Sequence, residues 1–350
     1  MAENTNIAWC DHTFNPWEGC QKVGPGCDHC YAETRNARFS GGTSVNWGPG
    51  APRRRTSAAN WRKPIAWNRN AGEFYAQHGR RQRVFCASLA DVFDNAVDPT
   101  WREDLFALIR ATPNLDWLLL TKRIGNVPSM VSLIPGWLPE NVWLGATIVN
   151  QAEADRDIQK LLETPARVHF LSIEPMLGPI NLESVAWPSI AEHRVDALRG
   201  GYWNKAGVLA CGPAAGLGEP RGGFTNHSDM PGRIDWVIVG GESGPGARPM
   251  HPDWARDLRD QCVSAGVPFL FKQWGSLCRA LATSVLGNTS QRLLHATVAL
   301  SQVDLTRPPI RAAQLPQTAG QWSIGLGRRR PTACSTAPST TNFRMCAREE

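Results

Sequence analysis

The sequence predicts an α/β protein whose parallel strands deliver polar side chains to one edge of a sheet. Two observations lead there. Between positions 84 and 273, six short apolar runs alternate with segments of helical period, the βαβ arrangement that builds parallel sheets. Each run is nearly continuous in apolar residues, as strands covered on both faces are, and each ends in a polar residue.

Taken in order, the first run is VFCAS from Val84, with Asp91 beyond it. The segment from Pro99 to Thr112 places Trp101, Leu105, Leu108 and Ile109 on one helical face behind Asp98 as N-cap. WLLLT from Trp117 leads to Lys122 and Arg123, and VWLGAT from Val142 ends on Thr147. A helix from Asn150 to Thr164 precedes VHFLSI from Val168, which runs to Glu174, a residue that Pro175 holds extended. DWVIVGG from Asp235 leads to Glu242, a helix spans His251 to Ala265, and PFLFK from Pro268 ends near Lys272 and Gln273. Six such units suit either an open doubly wound sheet or a partial barrel, and periodicity does not choose between them. In both, ligands bind at the carboxyl ends of the strands, which makes Asp91, Lys122 and Glu174 the candidate catalytic residues.

In GGESGPGARPM, the adjacent Gly240 and Gly241 let backbone approach a ligand, Glu242 adds a carboxylate and Arg248 a cation. The Gly-Gly-Glu resembles the element that grips the amino group of S-adenosylmethionine in the radical enzymes that use it, and this resemblance makes the four the candidate cofactor-binding residues. From about Glu183 to Arg233 the pattern gives way to a Gly- and Pro-rich stretch, including RGGYWNKAG and GPAAGLGEPRGG, expected to be an inserted loop or lid.

Composition narrows the class. A chain of 350 residues that is 42% hydrophobic can bury one large core, expected over residues 1–275. No run approaches the ~18 apolar residues of a membrane span, and MAENTNIAWCDH lacks the blocks of a signal peptide, so a cytoplasmic protein with no membrane partner is expected. Neither a Ser-His-Asp set nor a Walker loop is present, which argues against simple hydrolysis. The formal charge of +6 resides in residues 277–350, where nine Arg face three acidic residues; the first 276 residues are neutral overall. Net charge therefore predicts no basic surface on the folded part. Arg53, Arg54 and Arg55 remain as either phosphate contacts or a solvated loop.

That C-terminal stretch, residues 276–350, has no Lys, many Ser, Thr, Ala, Arg and Pro, and no sustained apolar period, so it is expected to be disordered. A sharper expectation is a frameshift near Gly275. Permitted codons for LGRRRPTACSTAPSTTNFRMCAREE, moved by two bases, can yield GKKAADRLLDGTEHNEFPDVREE, which has the mixed charge of an ordinary protein end. On that reading Cys278, Cys334 and Cys346 have no role.

The most informative segment is TFNPWEGCQKVGPGCDHCYAE. Cys20, Cys27 and Cys30 lie within eleven residues at C-x6-C-x2-C spacing, with Gly24, Pro25 and Gly26 between the first two. A Gly-rich loop can turn three thiolates toward one centre. In a reducing compartment such a group more often binds metal than forms disulfides. Zinc is one reading, with Cys10, His12 or His29 as fourth ligand; an iron-sulfur cluster with one open iron is the other.

The run resembles the signature of radical S-adenosylmethionine enzymes related to DNA photoproduct lyases. The stretch from Asn6 to Glu33, with ADVF, LLTKR, SIEPM, GGESG and FKQWG downstream, resembles still more closely an uncharacterised phage-associated family with the same three-cysteine pattern, over positions 1 to about 275. The shifted-frame tail resembles that family's usual ending. The resemblance implies a partial (β/α)6 TIM-like barrel of the radical S-adenosylmethionine type. It also implies a 4Fe-4S cluster on Cys20, Cys27 and Cys30 with Tyr31 packed beside it, and S-adenosylmethionine as cofactor. An electron donor is implied as a partner, and a nucleic acid or nucleotide as substrate. Two departures stand out: six residues, where the standard enzyme has three, separate the first two cysteines, and His29 precedes the last cysteine where an aromatic is usual.

Fifteen tryptophans are many for this length. Trp117, Trp143 and Trp236 are expected in the core. Trp9, Trp17, Trp47, Trp61 and Trp67 are expected near the cysteine segment, shielding a cluster or stacking on a base.

Overall fold

The computed structural model of the protein describes residues 5, 7–134, 137–187, 194–203, 209–210 and 232–276. The C-terminal tail and the frameshift expectation lie outside the described residues, as do 188–193, 204–208 and 211–231 of the insertion.

The chain opens with β1 (His12–Thr13) and β2 (Trp17–Glu18), followed by α1 (Tyr31–Phe39), β3 (Arg54–Arg55), α2 (Ala58–Trp61), α3 (Lys63–Arg69) and α4 (Ala71–His78). Regular alternation then runs β4 (Gln82–Cys86), α5 (Pro99–Ala111), β5 (Leu115–Thr121), α6 (Val127–Val131), β6 (Val142–Thr147), α7 (Gln151–Glu163) and β7 (Val168–Ile173). The insertion carries β8 (Val185–Ala186), β9 (Arg194–Asp196), β10 (Gly201–Trp203) and β11 (Leu209–Ala210), after which β12 (Trp236–Gly240), α8 (Pro252–Ala265) and β13 (Phe269–Gln273) complete the described chain.

All six sequence-predicted strands form, and the caps follow. Asp98 accepts from the Thr100 N–H at 2.9 Å, Asn150 from Glu153 at 3.0 Å and His251 from Asp253 at 3.2 Å, each satisfying a donor that the first helical turn leaves free. The strands pair in parallel in the order β1-β4-β5-β6-β7-β12-β13. The count is thus seven, not six. The extra strand, β1, has only two residues, with His12 opposite Val84 and Thr13 opposite Phe85, too short for any period to reveal.

The sheet curls into a half-barrel. Phe85 on β4 and Trp236 on β12 are four strand spacings apart, ~19 Å in a flat sheet. Both nevertheless contact Trp9, with ring centroids at 4.5 and 6.2 Å. The concave face is filled by Trp9, Phe85, Leu118, Trp143, Phe170, Trp236, Ile238 and Leu270, and the convex face by helices that bury Leu105, Phe106, Ile109, Ile158, Leu161 and Leu258. Gly145 makes room inside: a Cβ there would lie 2.3 Å from Phe170 Cζ.

Trp9 and Trp67 therefore do not shield the cysteine segment. Trp9 belongs to the barrel filling, and Trp67 stacks on His12 at 4.1 Å between centroids. The described part of the insertion is not an irregular loop. It forms a small antiparallel sheet, β11-β10-β9-β8, docked on the outer helices. Asp155 of α7 accepts from the Ala186 N–H at 2.8 Å, and Gln261 of α8 from the Leu182 N–H at 2.8 Å. Strands of two or three residues leave no alternation to read. No helix among the described residues is long and apolar enough to cross a membrane.

Candidate functional site

The cysteine loop sits on the carboxyl ends of the strands because its glycines permit the approach. A Cβ at Gly26 would lie 2.8 Å from Val149 Cγ1 and 3.5 Å from Lys122 Cε, just beyond β6 and β5. Gly19, at φ +113°, admits the Asn46 carbonyl, which a Cβ would meet at 2.6 Å. Isolated parallel bridges join Gly19 to Ala90 and Cys20 to Trp47, so Trp47 alone of the five early tryptophans shares a backbone pairing with a cysteine of the loop. Pro25–Cys27 form a single 3₁₀ turn, and Cys30 is the N-cap of α1.

Two arginines tie the loop to the barrel from opposite sides. Arg123, after β5, donates to Asp91 Oδ2 at 3.0 Å, to Cys20 Sγ at 3.4 Å and to the Gln21 carbonyl at 2.8 Å. Asp91 also accepts from Thr121 Oγ1 at 2.8 Å, the Lys122 N–H at 3.0 Å and the Phe93 N–H at 2.9 Å. On the far side Arg248 donates to Glu242 through Nε at 2.9 Å and Nη2 at 2.7 Å, to Asp28 Oδ2 at 2.9 Å and to the Pro25 carbonyl at 2.7 Å. Glu242 also receives the Arg248 N–H at 2.8 Å and stands 3.0 Å from His29 Nδ1.

The electrostatics follow from these contacts. Burial pushes the Cys20 thiol up to about 11, against the pull of the Arg123 guanidinium. Burial works against the Glu242 carboxylate too, but the Arg248 hydrogen bonds prevail and hold it down at about 2. Glu242 is thus ionised and already engaged by protein donors.

The other sequence candidates line the same mouth. Lys122 Nζ lies 3.3 Å from Thr147 Oγ1, and a cleft between this lysine and the loop is lined by Val23, Gly24, Cys27, Thr147, Glu153 and Arg156. Glu174 pairs with Lys272 at 3.1 Å and accepts from Ser172 Oγ at 3.3 Å. The two glycines answer to close packing: a Cβ at Gly240 would lie 2.5 Å from Glu174 Oε1, and one at Gly241 2.1 Å from the Trp274 carbonyl.

Cys27 is buried, and Cys20 and Cys30 are partly exposed. Their thiols are free, and among the described residues no three His, Cys, Asp or Glu side chains are gathered as a metal ion would require. The donor set still has the composition of a metal centre: three thiols on one glycine-permitted loop at the strand mouth. A rotamer change moves a cysteine sulfur without moving backbone. Of the zinc alternatives, Cys10 packs with the barrel filling and burial pushes its thiol up to about 12, while His12 stacks on Trp67. His29 is in the loop itself.

Arg123 and Arg248 follow strands, as the sequence predicts, but their ties to the loop and the contact of His29 with Glu242 are visible only in the fold. The signal available was positional: Arg123 directly follows LLTK, and Arg248 lies in the turn that follows GGE. Arg53 belongs to the interior, 1% exposed and bonded to Asp94 at 2.8 Å. Arg54 pairs with Glu18, and Arg55 pairs with Asp104 at 2.7 Å and lies over Trp61.

A family described as "Protein of unknown function (DUF5131)" has a model that matches residues 4–302, past position 275. No curated protein and no solved structure matches the chain.

Proposed function

As the chain belongs to the DUF5131 family of unknown function, we propose from its residues that it is an iron-sulfur enzyme of the radical S-adenosylmethionine kind. Cys20, Cys27 and Cys30 would hold a 4Fe-4S cluster. The observation that carries this reading is the tying of a three-cysteine loop to the carboxyl ends of a parallel half-barrel by Arg123 on one side and Arg248 on the other. When bound, such a cluster supplies the electron for reductive cleavage of S-adenosylmethionine and so the radical chemistry.

The protein's own part is positioning and charge. Arg123 sets a guanidinium against Cys20 and favours its thiolate form. Glu242 and Arg248 fix the turn that carries Cys27, and within the proposal they form the cofactor side of the mouth together with Gly240 and Gly241. Asp91 holds Arg123 in place. Lys122 and Glu174 face the same mouth and are the residues proposed to meet substrate, a nucleic acid or nucleotide; an external electron donor completes the set.

Protein purified without oxygen is expected to contain iron and sulfide with a visible absorbance shoulder. With dithionite and S-adenosylmethionine it should form 5'-deoxyadenosine. A colourless protein with one tightly held zinc would overturn the reading in favour of a second one, a zinc site of the three cysteines and His29 in a nucleic-acid-binding protein without catalysis. The presence of His29 inside the loop favours that alternative over Cys10 or His12.

A further inference from the structure

Helix α1 begins at Cys30 and turns its largest side chains the wrong way for a globular protein. At 100° per residue, Tyr31, Thr34, Arg35, Arg38 and Phe39 share one face, and all five are exposed, whereas the buried positions are only Ala32 and Asn36. Tyr31 is 61% and Phe39 72% exposed. Single exposed hydrophobics need no explanation, but two aromatics bracketing two arginines on one helical face form a patterned surface. The two rings are separated by eight residues, about 12 Å along the axis.

The charge around this face is positive. Arg35 and Arg54, with side chains 43% and 65% exposed, share one carboxylate, Glu18, which is itself only 11% exposed. Arg38 has no carboxylate partner among the described residues; its guanidinium and that of Arg35 lie 6.0 and 5.1 Å from the Phe39 ring centroid. Lys22 and Glu33 pair with each other and cancel. Three guanidiniums against one carboxylate leave a surplus of two positive charges beside two exposed rings.

We infer that this face of α1 is a docking platform for single-stranded nucleic acid, with bases stacking on Phe39 and Tyr31 and backbone phosphates meeting Arg35, Arg38 and Arg54. Flat faces and regularly spaced negative charge are what interleaved aromatics and arginines complement. A strand lying along α1 is led to Cys30, because Cys30 is the residue from which the helix starts. The inference deepens the functional reading above by narrowing its substrate from a nucleic acid or nucleotide to a single strand and by giving that strand a binding surface, and it partly rests on that reading.

The test is fluorescence anisotropy of a labelled oligothymidylate with the full chain handled without oxygen, with iron and sulfide content measured on each preparation. Neutralising about three phosphates predicts that the logarithm of the association constant falls with the logarithm of salt at a slope of about −2. Phe39→Ser should weaken binding about tenfold, and Arg38→Ser should flatten the slope by about 0.7, while both leave iron content and melting temperature at wild-type values. Binding unchanged in both variants, or none in the wild type, overturns the platform whether or not a cluster is present. Concentration-dependent dimerisation lost in Phe39→Ser, without oligonucleotide binding, overturns it in favour of a second copy of this chain as the occupant. Loss of iron with oligonucleotide binding retained strikes the cluster reading and leaves the platform standing.

Discussion

Replacing Arg123 with methionine tests whether the first arginine tie holds the barrel and the loop together. The guanidinium is 6% exposed and the Asp91 carboxylate 7%, so removing the cation strands a buried anion, a loss of about 3 to 5 kcal/mol in comparable cases. Asp91 keeps three neutral donors, Thr121 Oγ1, the Lys122 N–H and the Phe93 N–H, which puts the expected loss at the lower end, about 3 kcal/mol. For a domain of this size that is a drop in Tm of about 6 to 12 °C. Adding Asp91→Asn removes the stranded charge but turns a donor toward the Lys122 N–H, so the double variant should regain only about 1 kcal/mol. Thermal melts by circular dichroism, with iron content on the same samples, measure both. An Arg123→Met variant that melts at the wild-type temperature, or two losses that simply add, would show that no buried pair joins Arg123 to Asp91.

Gly145→Ala should destabilise by about 1 to 3 kcal/mol, because its new methyl group meets Phe170, whose ring is wedged against Trp9 and Trp236; an unchanged denaturation midpoint would contradict the packing. Cys27→Ser should lower bound iron and sulfide, whereas Cys262→Ser should not, since Cys262 is buried in the outer core with its thiol pushed up to about 12 by burial; equal iron in both variants would remove the cysteine loop from the centre. Asp11 carries a pH signature. Burial opposes its ionisation, but two Arg80 hydrogen bonds at 2.7 and 2.9 Å and the Arg83 N–H at 2.7 Å hold its pKa below the ordinary 3.8. Its contribution is therefore full above the ordinary value and lost as pH falls through the lowered one. Asp11→Asn should destabilise at neutral pH and converge on wild type in strong acid; a stability gap that widens on acidification would reverse the assignment. His169, kept below 6.5 by burial and bonded to the Thr164 carbonyl, should make the protein lose stability as pH falls below that value, and a His169→Gln variant should blunt the loss.

Much of the fold was legible because it is written in local pattern. The six long parallel strands are runs of five to seven residues, five of them buried almost throughout, and burial on both faces favours near-continuous apolar sequence. The three long helices announce themselves through Asp98, Asn150 and His251 at their caps. The small elements were not legible: the insertion strands, of two or three residues, are too short to show alternation, and β1 owes its pairing to β4, far along the chain. For the same reason Trp9 read as a neighbour of the cysteines, when it is the curl of the sheet that draws it onto Phe85, Phe170 and Trp236.

At the site, the order of residues is enough to say which groups are present and on which edge they stand: three closely spaced thiols, and Asp91, Lys122, Glu174 and Glu242 each past the end of a strand. Parallel strands of alternating type oblige those residues to converge. Which of them touch is settled by the packing of the whole fold. Arg123 reaches Cys20 across 103 positions and Arg248 reaches Pro25 across 223. No local pattern records a contact at that range, because the curvature that closes the gap is set by how the Trp9, Phe170 and Trp236 rings fill the concave face, a packing outcome of the whole chain.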